Sequence, residues 1–200
     1  MKKLIIPLLM LVCFQGYGQE KFSTYENNYI FKTYNIRIST EENEKFRLWI
    51  DAMSFDKLHD KGGISIDSSK YKAFIESVNQ AKVKYVEWIK TAKDNNVKEV
   101  AKPMDISCSV DAYFYYGDVQ FQFNDPLDFE FKIISIKDIT KYLLTINTGE
   151  LQSSNNQFMK VDGLALVFTS VNDIDKFLDN ISFQKINNYL TKPKAKDLFK

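Results

Sequence analysis

Tyr113 and Tyr115 stand two positions apart in a stretch that alternates apolar and polar residues, so in a strand both rings point to one side. Asp111 shares that side, and Gln120, Gln122, Asp128 and Glu130 take it on the strands that follow. Aromatic rings among amide and carboxylate acceptors suit stacking on, and hydrogen bonding to, a sugar or a peptide. Tyr113, Tyr115, Gln120, Gln122, Asp128 and Glu130 are therefore the candidate ligand-binding face. The plainer alternative is that a second sheet or the C-terminal helices cover the tyrosines.

Other constellations offer less. Cys108 and His59 form the one possible thiol–imidazole pair after Cys13, and such a pair makes a nucleophile when the base sits beside the thiol. However, Cys108 takes an inward strand position between Ile106 and Val110, where a free cysteine acts as a small hydrophobe. His59 falls in a charged loop ending in Gly62-Gly63, read as a turn. Asn124, Asp125, Asp128 and Glu130 gather oxygens but lack the twelve-residue spacing and central glycine of a calcium loop. Histidine and cysteine are too few for the usual zinc ligand sets. No GxSxG, phosphate-binding glycine loop or dinucleotide fingerprint occurs, and nothing selects one carboxylate pair over another. No catalytic residue, metal or cofactor is assigned.

The chain opens with Lys2 and Lys3, an apolar run from Leu4 to Phe14, then Gly16 and Gly18 before Gln19. That is the pattern of a cleaved signal peptide over 1–18, and the apolar run is too short to span a bilayer. Val12 before Cys13 does not fit a lipoprotein signal, which wants a small residue there. The expectation is an exported protein, periplasmic or extracellular, with 19–200 as a single domain. Without Lys2 and Lys3, 25 basic residues face 26 acidic ones, and this near-neutral balance argues against nucleic acid as a partner. Cys108 then stands alone, so no internal disulfide is available.

The elements that must position these residues are readable from periodicity. Tyr71, Phe74, Ile75, Val78, Ala81, Tyr85, Trp88, Ile89 and Ala92 follow helical spacing within a predicted long helix, 68–96, with Asp67 or Ser68 at its start and Asn95 or Asn96 at its end. Residues 20–28 read as a loose polar arm. Residues 29–38 and 44–53 alternate and predict a hairpin, with Trp49 half-exposed on its polar face. A short strand, 64–66, enters the helix.

From 104 to 148 the pattern is a meander, with turns at Gly117-Asp118, Asn124-Asp125-Pro126 and Lys137-Asp138. After a polar loop, 150–157, one strand over 158–169 leads to a helix, 171–181, capped by Ser170. A second short helix is expected over 184–191, followed by a basic tail. Charge is uneven: residues 103–131 carry five Asp and one Glu with no Lys or Arg, whereas 68–96 carries six Lys.

The predicted fold class is α+β: an antiparallel sheet (hairpin plus meander) packed against one long helix, 68–96, with a C-terminal helix, 171–181. The expected function is a non-catalytic binding module for a glycan, a peptide or an envelope protein. The alternatives are a cell-envelope hydrolase using Asp and Glu carboxylates, and a structural or assembly subunit presenting a strand edge.

Overall fold

The structure is a computed structural model that describes residues 18–40, 45–57, 59–153 and 156–192. The expected signal peptide, Gly18 apart, and the basic tail beyond Lys192 lie outside the described residues. In chain order the elements are β1 (Glu20–Asn27), β2 (Lys32–Thr40), β3 (Phe46–Asp51), β4 (Met53–Ser54), β5 (Gly62–Asp67) and α1 (Tyr71–Asp94). Then come β6 (Val100–Tyr116), β7 (Val119–Ile136), β8 (Ile139–Asn147), β9 (Leu151–Ser153), β10 (Asn156–Val161), β11 (Leu164–Phe168), α2 (Val171–Asn180) and α3 (Phe183–Leu190). The protein is thus a mostly antiparallel α+β fold.

Nine strands form one sheet in the order β1-β2-β3-β5-β6-β7-β8-β11-β4. The last strand, β4, continues β3 past Ala52 and pairs with β11 through Ser54 with Leu164 and Met53 with Ala165. The sheet therefore rolls round and meets a strand already in its middle. No helix among the described residues is long and apolar enough to cross a membrane.

Alternation sets two faces. Ile36, Ile38, Leu48, Ile50, Ile64, Ile66, Ala112, Phe114, Phe129 and Phe131 point inward and share one core with Phe74, Val78, Ala81 and Tyr85 of α1. Burying a side chain of this size contributes about 1.5–3 kcal/mol. Tyr85 reaches further, its hydroxyl donating to the Tyr142 carbonyl at 3.0 Å while its ring meets Phe131 edge-on.

Several expectations need correction. The helix is 24 residues, Tyr71–Asp94, shorter at both ends than 68–96. Residues 20–27 are not a loose arm but the edge strand β1, paired along β2. Asn124-Asp125-Pro126 is not a turn, because β7 runs straight through it, with Ser109 opposite Pro126. Pro126 is tolerated there because β8 joins β7 only from Asp128 onward, leaving an open side for the missing N–H. Gly62-Gly63 is strand, not turn, for a reason given below. The single strand expected over 158–169 is broken by Asp162-Gly163, with Gly163 at φ +129°. The two C-terminal helices stand where expected, parting at Ile181-Ser182.

The start of α1 shows how capping works here. The N-cap, Lys70, has no side-chain bond, but Asp67 accepts from the backbone N–H of Ser69 at 2.8 Å and of Lys70 at 3.1 Å. Burial alone would push the Asp67 carboxyl up; the bonds from Ser69 and Lys70, with Arg47 nearby, outweigh it and the net shift is down. A depressed carboxyl adds stability that is present above its unfolded value (about 3.9) and is lost as pH falls through the folded one. Asp67→Ala is therefore expected to cost about 1 kcal/mol at neutral pH. The gap to wild type should close on acidification in urea-unfolding curves taken across pH; a gap that persists in acid would assign the effect to packing instead.

Candidate functional site

The outer face of β2, β3, β5 and β6 carries a connected polar layer. Tyr113 lies flat across the sheet from β6, over Gly63 of β5, to reach β3. Its hydroxyl donates to Asp51 Oδ1 at 2.7 Å and accepts from Arg37 Nη2 at 3.0 Å. Arg37 Nη2 also donates to Asp51 Oδ1 at 2.6 Å, and Arg37 Nη1 to Gln19 at 2.5 Å. This crossing explains the glycine: a Cβ on Gly63 would stand 2.6 Å from the Tyr113 hydroxyl and 2.0 Å from the Ile50 carbonyl oxygen.

Electrostatics hold Tyr113 and Arg37 each in one protonation state. Burial and the Asp51 charge push the Tyr113 phenol well up, so it stays neutral and keeps donating. Burial works against the Arg37 charge, but Tyr113, Asp51 and Tyr115 outweigh it and hold the guanidinium protonated. One donor remains unspent: Arg37 Nε is buried without a hydrogen-bond partner.

Above this floor opens a cleft of about 560 Å³, lined by Lys32, Tyr34, Asn35, Arg37, Asp51, Asp60, Lys61, Tyr115 and Asp118 among others. The volume falls in the range of small-ligand sites. Its walls are the start of β2, the end of β3, the loop before β5 and the β6–β7 hairpin tip. Beside it, His59 stacks on Tyr116 at 4.6 Å and bonds Asp56 at 3.0 Å.

The six candidate residues are distributed unevenly. Tyr115 is half-buried in the cleft wall, its hydroxyl donating to Gln120 Oε1 at 2.9 Å. Gln120 Nε2 is buried without a partner. Gln122 is exposed opposite Tyr113. Tyr113 itself is 0 % exposed, covered by Trp49, Tyr115 and Arg37, so its ring offers no stacking surface. Asp128 and Glu130 lie elsewhere, about 26 and 33 Å along the strand from Gln120. They line a second cleft of about 440 Å³ at the β6 bulge, where Glu130 pairs with Lys132 at 2.7 Å. Trp49 is also buried rather than half-exposed, its indole N–H donating to Ser39 at 3.1 Å.

The other constellations disperse. Cys108 sits at the middle of β6 and His59 lies beside Tyr116 at its end, about 26 Å along the strand from Cys108. Burial also pushes the Cys108 thiol up, away from thiolate. The pleat puts Asp125 on the inner side of β7 and Asn124, Asp128 and Glu130 on the outer side. Burial, and then the Asp128 charge, raise the Asp125 carboxyl despite a bond from the Gly149 N–H at 3.2 Å, but Asp125 lines neither cleft. Among the described residues, no group of three or more His, Cys, Asp or Glu is placed to hold a metal ion. Part of the acidic excess is neutralised locally: Asp111 accepts from Arg47 at 2.5 Å and from Lys70 at 2.8 Å.

Arg37 and Asp51 are the residues the candidate face omits. Their signal was in the pairing register, since Arg37 lies opposite Trp49 and Asp51 is its next neighbour on the same face. No protein-family model matches the chain, and no curated protein or solved structure is significantly similar to it.

Proposed function

We propose that this chain is an exported, non-catalytic binding module whose ligand sits in the cleft over Arg37, Asp51 and Tyr115. The observation that carries the reading is the pre-built floor. Tyr113, Asp51 and Arg37 are fixed to one another, and Arg37 and Asp51 line a roughly 560 Å³ opening. A fixed floor lowers the ordering cost of binding. Export rests on the residue pattern of 1–18. The non-catalytic reading rests on the missing motifs and on the separation of Cys108 from His59.

The test is thermal unfolding of 19–200 against glycans, cell-wall fragments, peptides, nucleotides and divalent ions. A ligand at a hundred times its Kd adds about 2.7 kcal/mol, a rise of roughly 5–10 °C for a chain of this size. The rise should vanish in Tyr115→Ala, which removes a cleft wall without opening the core. A ligand that binds Tyr115→Ala as well as wild type would place the site outside this cleft.

A further inference from the structure

The charges around the cleft are arranged, not merely balanced. Lys32 and Arg37 stand on β2 at one flank, and Asp118 stands at the β6–β7 tip at the other. Asp60 and Lys61 lie between them, on the loop that enters β5. Strands β2, β3, β5 and β6 are successive neighbours in the sheet. Three strand spacings separate the flanks by about 14 Å. Arg37 is committed to Asp51. Lys32, Asp60, Lys61 and Asp118 make no ion pair with one another or with any other described residue. Lys32 instead lies over the Tyr34 ring, 5.0 Å from its centroid, at the cleft wall.

This pattern selects among ligands. A neutral sugar leaves both flanks unmatched. A ligand of one sign meets as much repulsion as attraction. A molecule with a carboxylate at one end and an ammonium at the other matches both flanks. An extended peptide covers about 3.3–3.6 Å per residue, so roughly four residues span the gap. Its interior amides would meet Asn35, Asp60 and Lys61. The Tyr115 hydroxyl is already given to Gln120, so its ring is what remains for a ligand side chain.

Resting on the cleft as the binding site, we infer that the ligand is a short extended peptide with free termini, about four residues long. Its carboxylate lies at Lys32 and its ammonium at Asp118. Both flanking residues are exposed, so their variants can be compared at equal fold stability.

The experiment is calorimetric titration of 19–200 with an equimolar tetrapeptide pool in three forms: free, N-acetylated and C-amidated. Each cap should cost wild type about tenfold in affinity, the scale of one charge-assisted hydrogen bond. Acetylation should cost nothing further in Asp118→Asn, and amidation nothing further in Lys32→Gln. Caps that cost wild type nothing, while binding still depends on Tyr115, overturn the inference and leave the cleft standing. Tyr115-dependent binding of a glycan alone overturns it in the same way. Cap sensitivity relieved by the opposite variant overturns the orientation. Binding that ignores Tyr115→Ala removes both readings.

Discussion

Gly63→Ala is expected to remove much of the protein's stability. The added methyl would sit 2.0 Å from the Ile50 carbonyl oxygen and 2.6 Å from the Tyr113 hydroxyl. Neither neighbour can give way cheaply. Ile50 is held in the β3 ladder, where Asp51 pairs with Gly63 itself, and Tyr113 is pinned by Asp51 and Arg37. Forcing two paired strands apart costs more than ordinary overpacking, so a loss above about 3 kcal/mol is expected. That corresponds to a Tm drop of roughly 6–12 °C. The backbone contact also predicts that Gly63→Ala remains damaging when Tyr113 has been shortened to alanine. Rescue in that double variant would show that the ring, not the β3 backbone, demands the glycine.

The second large effect belongs to Tyr113. Its side chain is 0 % exposed and packs edge-on against Trp49 and Tyr115. Tyr113→Ala leaves a cavity under Arg37 and removes the hydroxyl shared with Asp51, so a loss of about 3–5 kcal/mol is expected. Tyr113→Phe keeps the ring and loses only the hydroxyl, for about 1–2 kcal/mol, since Asp51 retains its Arg37 partner. Chemical denaturation of both variants separates the two contributions. Equal losses would mean that the hydroxyl, not the ring, carries the stabilisation, and near-wild-type stability in both would refute the packing described.

These two residues also mark where sequence reading stops. Alternation assigned Tyr113 and Tyr115 to the outer face, and the α1 stripe from Phe74 to Tyr85 to the core, because side-chain period follows directly from backbone geometry. What covers a ring on the outer face depends on neighbours two strands away. Trp49, Arg37 and Asp51 reach Tyr113 only once β2, β3, β5 and β6 lie in register. Local composition misled for the same reason. Gly62-Gly63 and Asn124-Asp125-Pro126 carry turn chemistry, but tertiary context uses the first pair for a close crossing and places Pro126 on a stretch with one open side. The polar sequence of β1 gave little alternation to read, because an edge strand needs only one well-buried side.

The junction of β4 with β11 has a consequence for the order of events in synthesis. Ser54 and Leu164 close the roll, and about 110 residues lie between them. At roughly 5–20 residues per second, the partner of Ser54 emerges some 5–20 s after Ser54 itself. Until then β4 lacks the strand it pairs with, and the nascent chain is an open, unlatched ribbon. Such distant pairing also places folding toward the slow end of the range for domains of this kind. A chain that latches only after most of it has been made stays open to rearrangement until late.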